Sequence, residues 1–349
     1  MKILVIQIKM IGDVLASSVL FEAIKKVHPN WEIHYLIQKN TIPVVENNPF
    51  IDKIILFEEE KYVGFGGIVQ LGKELRAEKY DTIIDVYGKF NSLLPTFLSG
   101  AKNRIGTYKW YSKLFLTETV IPDTICNGTA NAFRLLLAKT VLKKDINQIF
   151  PKIYLSQSEI ESAKNQIINH FDVKKKKIMI SVLGSGKNKS LPSFYMAKVV
   201  NLIAAADVQL IFNYMPNQHE EAKAIYNLCD AQAQSKIIFD FQPKGLRSFL
   251  AILSQCDALI GNEGGATNMS KALNIPTFTI YAPWINRNSW NIFEETGLHE
   301  IVHLSDYYPE LYQNKHPKNF KENAFEWYDK LNPSLFSNKL EQFVEKINQ

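Results

Sequence analysis

One acid, Asp13, stands alone in "KMIGD" (Lys9–Asp13), where an apolar run gives way to residues at helical spacing. A carboxylate there has two uses: it can cap a helix, or it can take a proton from a substrate hydroxyl. Gly12 breaks the apolar run just before it. In "GNEGGATN" (Gly261–Asn268), three glycines allow the backbone to approach a ligand closely, and a helix follows from near Ala266. Glu263 in that loop suits sugar hydroxyls better than a phosphate. The competing reading is a tight turn capped by Thr267 or Asn268. "GSGKNKS" (Gly184–Ser190) fails as a P-loop, because Ser181 takes the place of the first glycine and Asn188 that of the Ser/Thr. It remains either an ordinary loop or an anion site, with two lysines ahead of a helix N-terminus.

"AKNRIGTYKWYSK" (Ala101–Lys113) mixes Lys102, Arg104, Lys109 and Lys113 with Tyr108, Trp110 and Tyr111. Such a mixture suits an acidic sugar, a phosphate or a headgroup, or else a solvated edge over buried aromatics. Basic residues are not concentrated through the chain, which argues against nucleic acid. "HEIVH" (His299–His303) matches a zinc-protease pattern in letters, but that pattern needs a helix. Gly297 before it, Ile301 and Val302 within it and Pro309 after it predict a surface strand instead. "GFGG" (Gly64–Gly67) lacks the spacing of a dinucleotide fingerprint. No D-x-D pair occurs, which argues against transfer assisted by a metal held in such a motif.

These residues need elements to hold them, and the chain alternates strand and helix patterns twice. The first series has strands at Lys2–Ile8, Trp31–Ile37, Lys53–Phe57 and Thr82–Val86, with helices at Val14–Val27 and Ile68–Lys79. The second begins after the lysine run Lys174–Lys177, read as a solvated linker. Its strands are Ile178–Leu183, Val208–Phe212, Lys236–Phe241, Ala258–Ile260 and Thr277–Tyr281. Helices at Pro192–Ala205, Gln218–Leu228, Leu246–Gln255 and Met269–Leu273 lie between them. Alternation of this kind predicts βαβ units and mostly parallel sheets covered on both faces. Ligands then bind outside the carboxyl ends of the strands, which directs attention to "KMIGD", "YGKFNS", "LGSGKNKSLP", "NYMPNQ" and "NEGGATN".

The division expected from this pattern is a first domain over 1–155 and a connecting helix and linker over 156–176. A second domain follows over 177–330, and a last helix lies within 331–349. The 349 residues suffice for two domains with real cores, and 46% hydrophobic against 21% charged residues describes a globular chain. The net charge of +5 is mild. Cys126, Cys229 and Cys256 are scattered, make no metal or redox motif and fit a reducing cytoplasm. Gln7 and Lys9 interrupt the opening apolar stretch, so no signal peptide is expected.

Taken together, these loops resemble glycosyltransferase family 9, the heptosyltransferases of lipopolysaccharide assembly. The resemblance rests on "IGDVLASSVLFEAIKKVHPNWEI", "YDTIIDVYGKFNSLLPTFLSGAKNRIG" and "GNEGGATNMSKALNIPTFTIYAPW", with "KSLP" (Lys189–Pro192) where the family commonly has a lysine before an aromatic and a proline. It departs from the family loop at Glu263, Gly264, Ala266 and Asn268, and Leu191 replaces the aromatic. The resemblance implies a GT-B fold: two Rossmann-like, doubly wound α/β domains facing a central cleft, the first (1–155) for the acceptor and the second (177–330) for the nucleotide sugar, with a C-terminal helix (331–349) crossing back to pack on the first. It implies inverting, metal-independent transfer from a nucleotide sugar, usually ADP-heptose, without a cofactor. Asp13 would be the catalytic base and Lys189 a ligand of the diphosphate. Glu263, Gly264, Gly265 and Thr267 would line the donor site, joined by Ser185, Gln218 and Asn268. Gly12, Lys89, Lys102, Arg104 and Lys109 would meet an anionic glycolipid acceptor from the cytoplasmic face of the inner membrane. A catalytically weak protein that binds a nucleotide sugar or acidic glycan is the alternative, and a two-domain binding protein of the periplasmic type a third.

Overall fold

The structure is a computed structural model and describes residues 1–122, 129–286, 297–313 and 316–349. These fall into two compact units, one ending at Tyr154 and one beginning at Leu155. Cys126 lies outside the described residues.

The first unit runs β1 (Lys2–Ile6), α1 (Ile11–Ser17), α2 (Val19–Val27), β2 (Glu32–Ile37), β3 (Lys53–Leu56), α3 (Gly64–Ala77), β4 (Thr82–Asp85), α4 (Phe90–Leu98), β5 (Asn103–Thr107), β6 (Glu118–Val120) and α5 (Ala130–Leu142). The strands form one parallel sheet in the order β3-β2-β1-β4-β5-β6. Ile3 to Ile6 are fully buried, as a central strand covered on both faces requires. Gly12 does not break the helix but sits in its first turn. The break comes at Ser18, where Ser17 and Ser18 turn their hydroxyls back onto the carbonyls of Asp13 and Leu15 and separate α1 from α2.

The second unit runs α6 (Gln157–His170), β7 (Lys176–Ser181), α7 (Ser193–Ala204), β8 (Val208–Asn213), α8 (His219–Leu228), α9 (Ala231–Lys236), β9 (Ile237–Ile238), α10 (Gly245–Leu253), β10 (Ala258–Asn262), α11 (Gly265–Ala272), β11 (Thr277–Ile280), β12 (His299–Val302), α12 (Ala324–Lys330) and α13 (Ser337–Asn348). Its sheet is again parallel, in the order β12-β11-β10-β7-β8-β9. Counted within each unit, both sheets have the doubly wound order 3-2-1-4-5-6. The fold is α/β, with two Rossmann-like units.

Three expectations change. Helix α6 is not a bare connection: it packs on α10, and Glu159 takes a two-point ion pair from Arg247 at 2.6 and 2.5 Å. The lysine run is no free linker, since Lys176 and Lys177 open β7 and Lys177 is buried. The last helix was expected on the first domain. Instead Leu340, Phe343 and Val344 belong to the second unit's core, with Phe343 5.6 Å from Phe278 of β11. An amphipathic helix goes where its apolar stripe is best covered, and here the face of β11 covers it.

Candidate functional site

In each sheet the strand order reverses between the first and fourth strands, and crevices for ligands open at the carboxyl ends there. In the first unit those strands are β1 and β4, paired through Ile6 and Asp85. Asp13 follows β1. It is not the helix cap: Met10 holds that position, with no side-chain hydrogen bond. Its carboxylate instead accepts a hydrogen bond from Arg134 Nη2 at 3.2 Å, with Lys9 Nζ at 3.8 Å.

Arg134, missed in the sequence, comes from α5 and is buried. It also donates to the Ala130 carbonyl at 2.9 Å and to Ser17 Oγ at 3.3 Å. Burial pushes the guanidinium below its ordinary value, and the Asp13 carboxylate counteracts this. An arginine in the otherwise apolar run "FRLLLA" was the available signal.

Asp85, also missed, ends β4 completely buried. It accepts from Gly88 N at 2.8 Å and Ser92 Oγ at 3.0 Å, while burial raises its pKa to about 6. This fixes the turn that carries Lys89, which is exposed with Nζ 5.1 Å from the Tyr87 ring centre. Lys109 Nζ donates to the Gly88 carbonyl at 2.6 Å, so it closes the same turn.

Lys102 and Arg104 are placed elsewhere. Lys102 precedes β5 and Arg104 is its second residue, so both lie toward the amino end of a parallel sheet whose carboxyl ends carry Asp13, Lys89 and Lys109. Arg104 donates to the carbonyls of Phe115 at 2.8 Å and Ala101 at 2.6 Å and packs over Phe97. Expected to meet the acceptor, it is tied to the backbone of its own unit.

In the second unit the reversal lies between β7 and β10. Gly261 has φ +133, and a Cβ there would lie 2.4 Å from the Ser181 carbonyl oxygen. Only glycine lets the two strands approach this closely. Asn262, missed in the sequence, links the loops: it donates to the carbonyls of Ser181 and Val182 at 3.0 and 2.9 Å and accepts from Leu191 N at 2.8 Å. Leu191 belongs to the second unit's core.

Lys189 Nζ lies 3.4 Å from Glu263 Oε2 and 5.5 Å from the Trp284 ring centre. Trp284 in turn donates to the Asn188 carbonyl at 2.6 Å, which anchors the lysine loop. A Cβ on Gly184 would sit 2.2 Å from the Lys189 carbonyl oxygen, so this loop closes tightly on itself. Gly264 and Gly265 open α11 with free space beside Gly264. Thr267 is buried, with no hydrogen-bond partner for Oγ1 among the described residues. Asn268 is half-buried in the same helix, and Ser185 is exposed in the lysine loop. Gln218, expected at the donor, is held by the protein: it donates to the Gly184 carbonyl at 2.9 Å and accepts from Met215 N at 3.0 Å.

The histidine pair lies on strand β12 and just past it, so the two do not share a helix face. Nor is it a surface strand. His299 and His303 are buried, and burial lowers the His299 pKa to about 4. Burial likewise pushes the thiols of Cys229 and Cys256 up to about 11 and about 12, away from reactivity.

Comparison with known proteins follows the same lines. The profile of Glycosyltransferase family 9 (heptosyltransferase) matches residues 68–288. The chain is 26% identical over 294 residues to lipopolysaccharide heptosyltransferase 1 of Campylobacter coli, covering 80% of this chain and 84% of that one. Among solved structures it is similar to the glycosyl transferase family 9 protein from Veillonella parvula DSM 2008, with a TM-score of 0.83 and 17% identity over 99% and 96% of the two chains. It is also similar to the E. coli ADP-heptose LPS heptosyltransferase II, with a TM-score of 0.75 and 18% identity over 99% of each. The matched profile spans more than half of the chain and the architecture agrees, so this protein belongs to glycosyltransferase family 9 and is a glycosyltransferase.

Proposed function

We propose that the protein transfers heptose from ADP-heptose to an anionic glycolipid of the lipopolysaccharide core, with inversion and without a metal ion. The observation that carries this reading is a pair of switch points of the same strand order. One holds a carboxylate that caps nothing, Asp13. The other holds a lysine and the open start of a helix, Lys189 and Gly264–Gly265.

Asp13 takes the proton from the acceptor hydroxyl as its oxygen bonds to the anomeric carbon. The bond from that carbon to the phosphate oxygen breaks, and ADP leaves with the electron pair. Negative charge gathers on the diphosphate, where Lys189 and the amides opening α11 supply positive field. Glu263, beside Lys189, accepts hydrogen bonds from sugar hydroxyls. Lys89, exposed at the edge that bears Asp13, meets anionic groups of the acceptor. Relatives named for lipopolysaccharide heptosyl transfer support the donor and acceptor classes. A nucleotide-sugar donor fits work at the cytoplasmic face of the inner membrane. No helix among the described residues is long and apolar enough to cross a membrane.

The test supplies ADP-heptose and a heptose-deficient core glycolipid, in buffer with and without a chelator, and reads the anomeric configuration of the product by NMR. Inverted product at a chelator-independent rate is expected. Transfer from another nucleotide sugar alone would overturn the donor assignment, and retention would overturn the role of Asp13.

A further inference from the structure

The second unit carries an open cleft of about 630 Å³ beside the lysine loop. One wall is Lys187 and Asn188 of that loop, and the other is Lys321, Glu322, Ala324 and Phe325, where α12 begins. Glu263, Gly264 and Gly265 lie outside these walls. Both walls are held from behind. Trp284 donates to the Asn188 carbonyl at 2.6 Å, and Phe320 and Tyr328, which flank the second wall in sequence, are buried. The Phe320 ring lies 4.7 Å from that of Tyr312 and 4.6 Å from that of Trp327. Lys321 and Phe325 are therefore exposed on a fixed backbone, Phe325 at 53%.

Charge selects what the cleft takes. Lys189 Nζ and Lys321 Nζ lie 5.5 and 5.2 Å from the Trp284 ring centre, so one ring holds two ammonium groups. A ring quadrupole attracts a cation without neutralising it. Lys189 has Glu263 as its counter-ion, whereas Lys187 and Lys321 make no ion pair among the described residues. Glu322 shares a wall with Lys321 and pairs with neither lysine. Two uncompensated ammonium groups at one cleft suit a dianion, and a phosphoryl group accepts charged hydrogen bonds from such donors. Size argues that the phosphoryl group does not come alone. Clefts of about 300–1,000 Å³ hold whole small molecules, with aromatic side chains against their apolar parts. Bare phosphate would leave Phe325 without use, whereas the C–H face of a sugar ring covers it.

We propose that this cleft binds a phosphorylated sugar, with Lys187 and Lys321 on the phosphoryl group and Phe325 against the sugar ring. Two sources present that chemistry: the sugar diphosphate of the donor, since Lys189 belongs to the same loop, or a phosphosugar on a second molecule. The donor source rests on the proposed function, whereas the cleft itself does not.

The test is calorimetric titration of the full chain, at low salt, with inorganic phosphate, glucose 6-phosphate and ADP-heptose. Wild type is expected to bind glucose 6-phosphate more tightly than inorganic phosphate. The double variant K187Q/K321Q should keep its melting temperature, because both lysines are exposed. It should lose about tenfold or more in affinity for glucose 6-phosphate, since one charged hydrogen bond is worth about a factor of ten. F325A should bind inorganic phosphate as the wild type does and lose the preference for glucose 6-phosphate. If ADP-heptose weakens in parallel in K187Q/K321Q and competes with glucose 6-phosphate, the cleft serves the donor. If glucose 6-phosphate still binds a chain saturated with ADP-heptose, the cleft serves a second molecule. Absence of glucose 6-phosphate binding by the wild type, or equal affinity in K187Q/K321Q, would overturn the proposal. Equal affinity of the wild type for inorganic phosphate would overturn it as well. Binding of glucose 6-phosphate without heptosyl transfer would sustain the cleft and remove the donor and acceptor assignment instead.

Discussion

Replacing Asp13 by asparagine separates a proton acceptor from a structural carboxylate, and the structure sets the size of each effect. The helix start loses nothing, since Met10 occupies the cap and Asp13 makes no capping bond. Asparagine keeps an oxygen for Arg134 Nη2, now 3.2 Å away, but removes the charge. Arg134 retains the Ala130 carbonyl and Ser17 Oγ as acceptors. The difference between charged and neutral hydrogen bonds is about 1 kcal/mol, reduced a little because Asp13 is partly exposed. That amounts to a melting temperature lower by about 2–4 °C. Loss of a positioned base lowers turnover by about 10²–10⁴, equivalent to roughly 3–5.5 kcal/mol of barrier. The two effects therefore differ by enough to be read apart. Initial rates at saturating ADP-heptose and glycolipid, with ADP affinity from calorimetry, provide the assay. Turnover should collapse while ADP affinity stays unchanged and the acidic limb of the pH–rate profile disappears. A folded variant turning over within tenfold of the wild type would refute the reasoning, leaving Asp13 as an anchor for Arg134.

Lys189→Ala should weaken ADP binding by about 1.5–3 kcal/mol, the range for a hydrogen bond to a charged group, as read by titration calorimetry. The upper end is expected, because Glu263 at 3.4 Å is left without its cation; an unchanged dissociation constant would remove Lys189 from the donor site. Arg104→Ala should cost about 1–3 kcal/mol of stability by leaving the Phe115 and Ala101 carbonyls unpaired, while Lys102→Glu should leave acceptor KM unchanged. A raised KM in Lys102→Glu would return that end of the sheet to the acceptor. Asp85 gives a pH signature. Its pKa rises from 3.8 to about 6 on folding, so the folded chain holds the proton more tightly and stability falls as pH rises between those values. A shift of roughly two units corresponds to about 3 kcal/mol lost across that window. Denaturant titrations should find this slope flattened in Asp85→Asn, and an equal slope in the variant would mean that other groups cause it.

The strand and helix series were legible because their signal is local. Short β-branched runs such as "ILVI" and "IMIS", bounded by helical spacing, read as strands buried on both faces, and their alternation with helices points to parallel βαβ units as the packing solution. Glycine-bearing loops after those strands were legible as candidate ligand loops, and Lys189, Glu263 and Gly264 fall in them. Strand order was not local, and it decided more. The reversals between β1 and β4 and between β7 and β10 single out, within each unit, the loops that border its crevice. The same parallel register puts Lys102 and Arg104 toward the far end of the sheet, although they are only a few residues from Lys109. Arg134 lies 121 residues from Asp13 in sequence, and Asn262 lies 71 from Leu191. No spacing rule reaches that far. The sequence by itself determined which segments must be buried and which loops could hold a ligand, because burial and turn chemistry act over a handful of residues. Only the tertiary structure decided whether Asp13 caps a helix, whether Gln218 and Arg104 are free to bind, and where the last helix finds cover. Those outcomes depend on which distant groups compete for the same hydrogen bonds and the same apolar face.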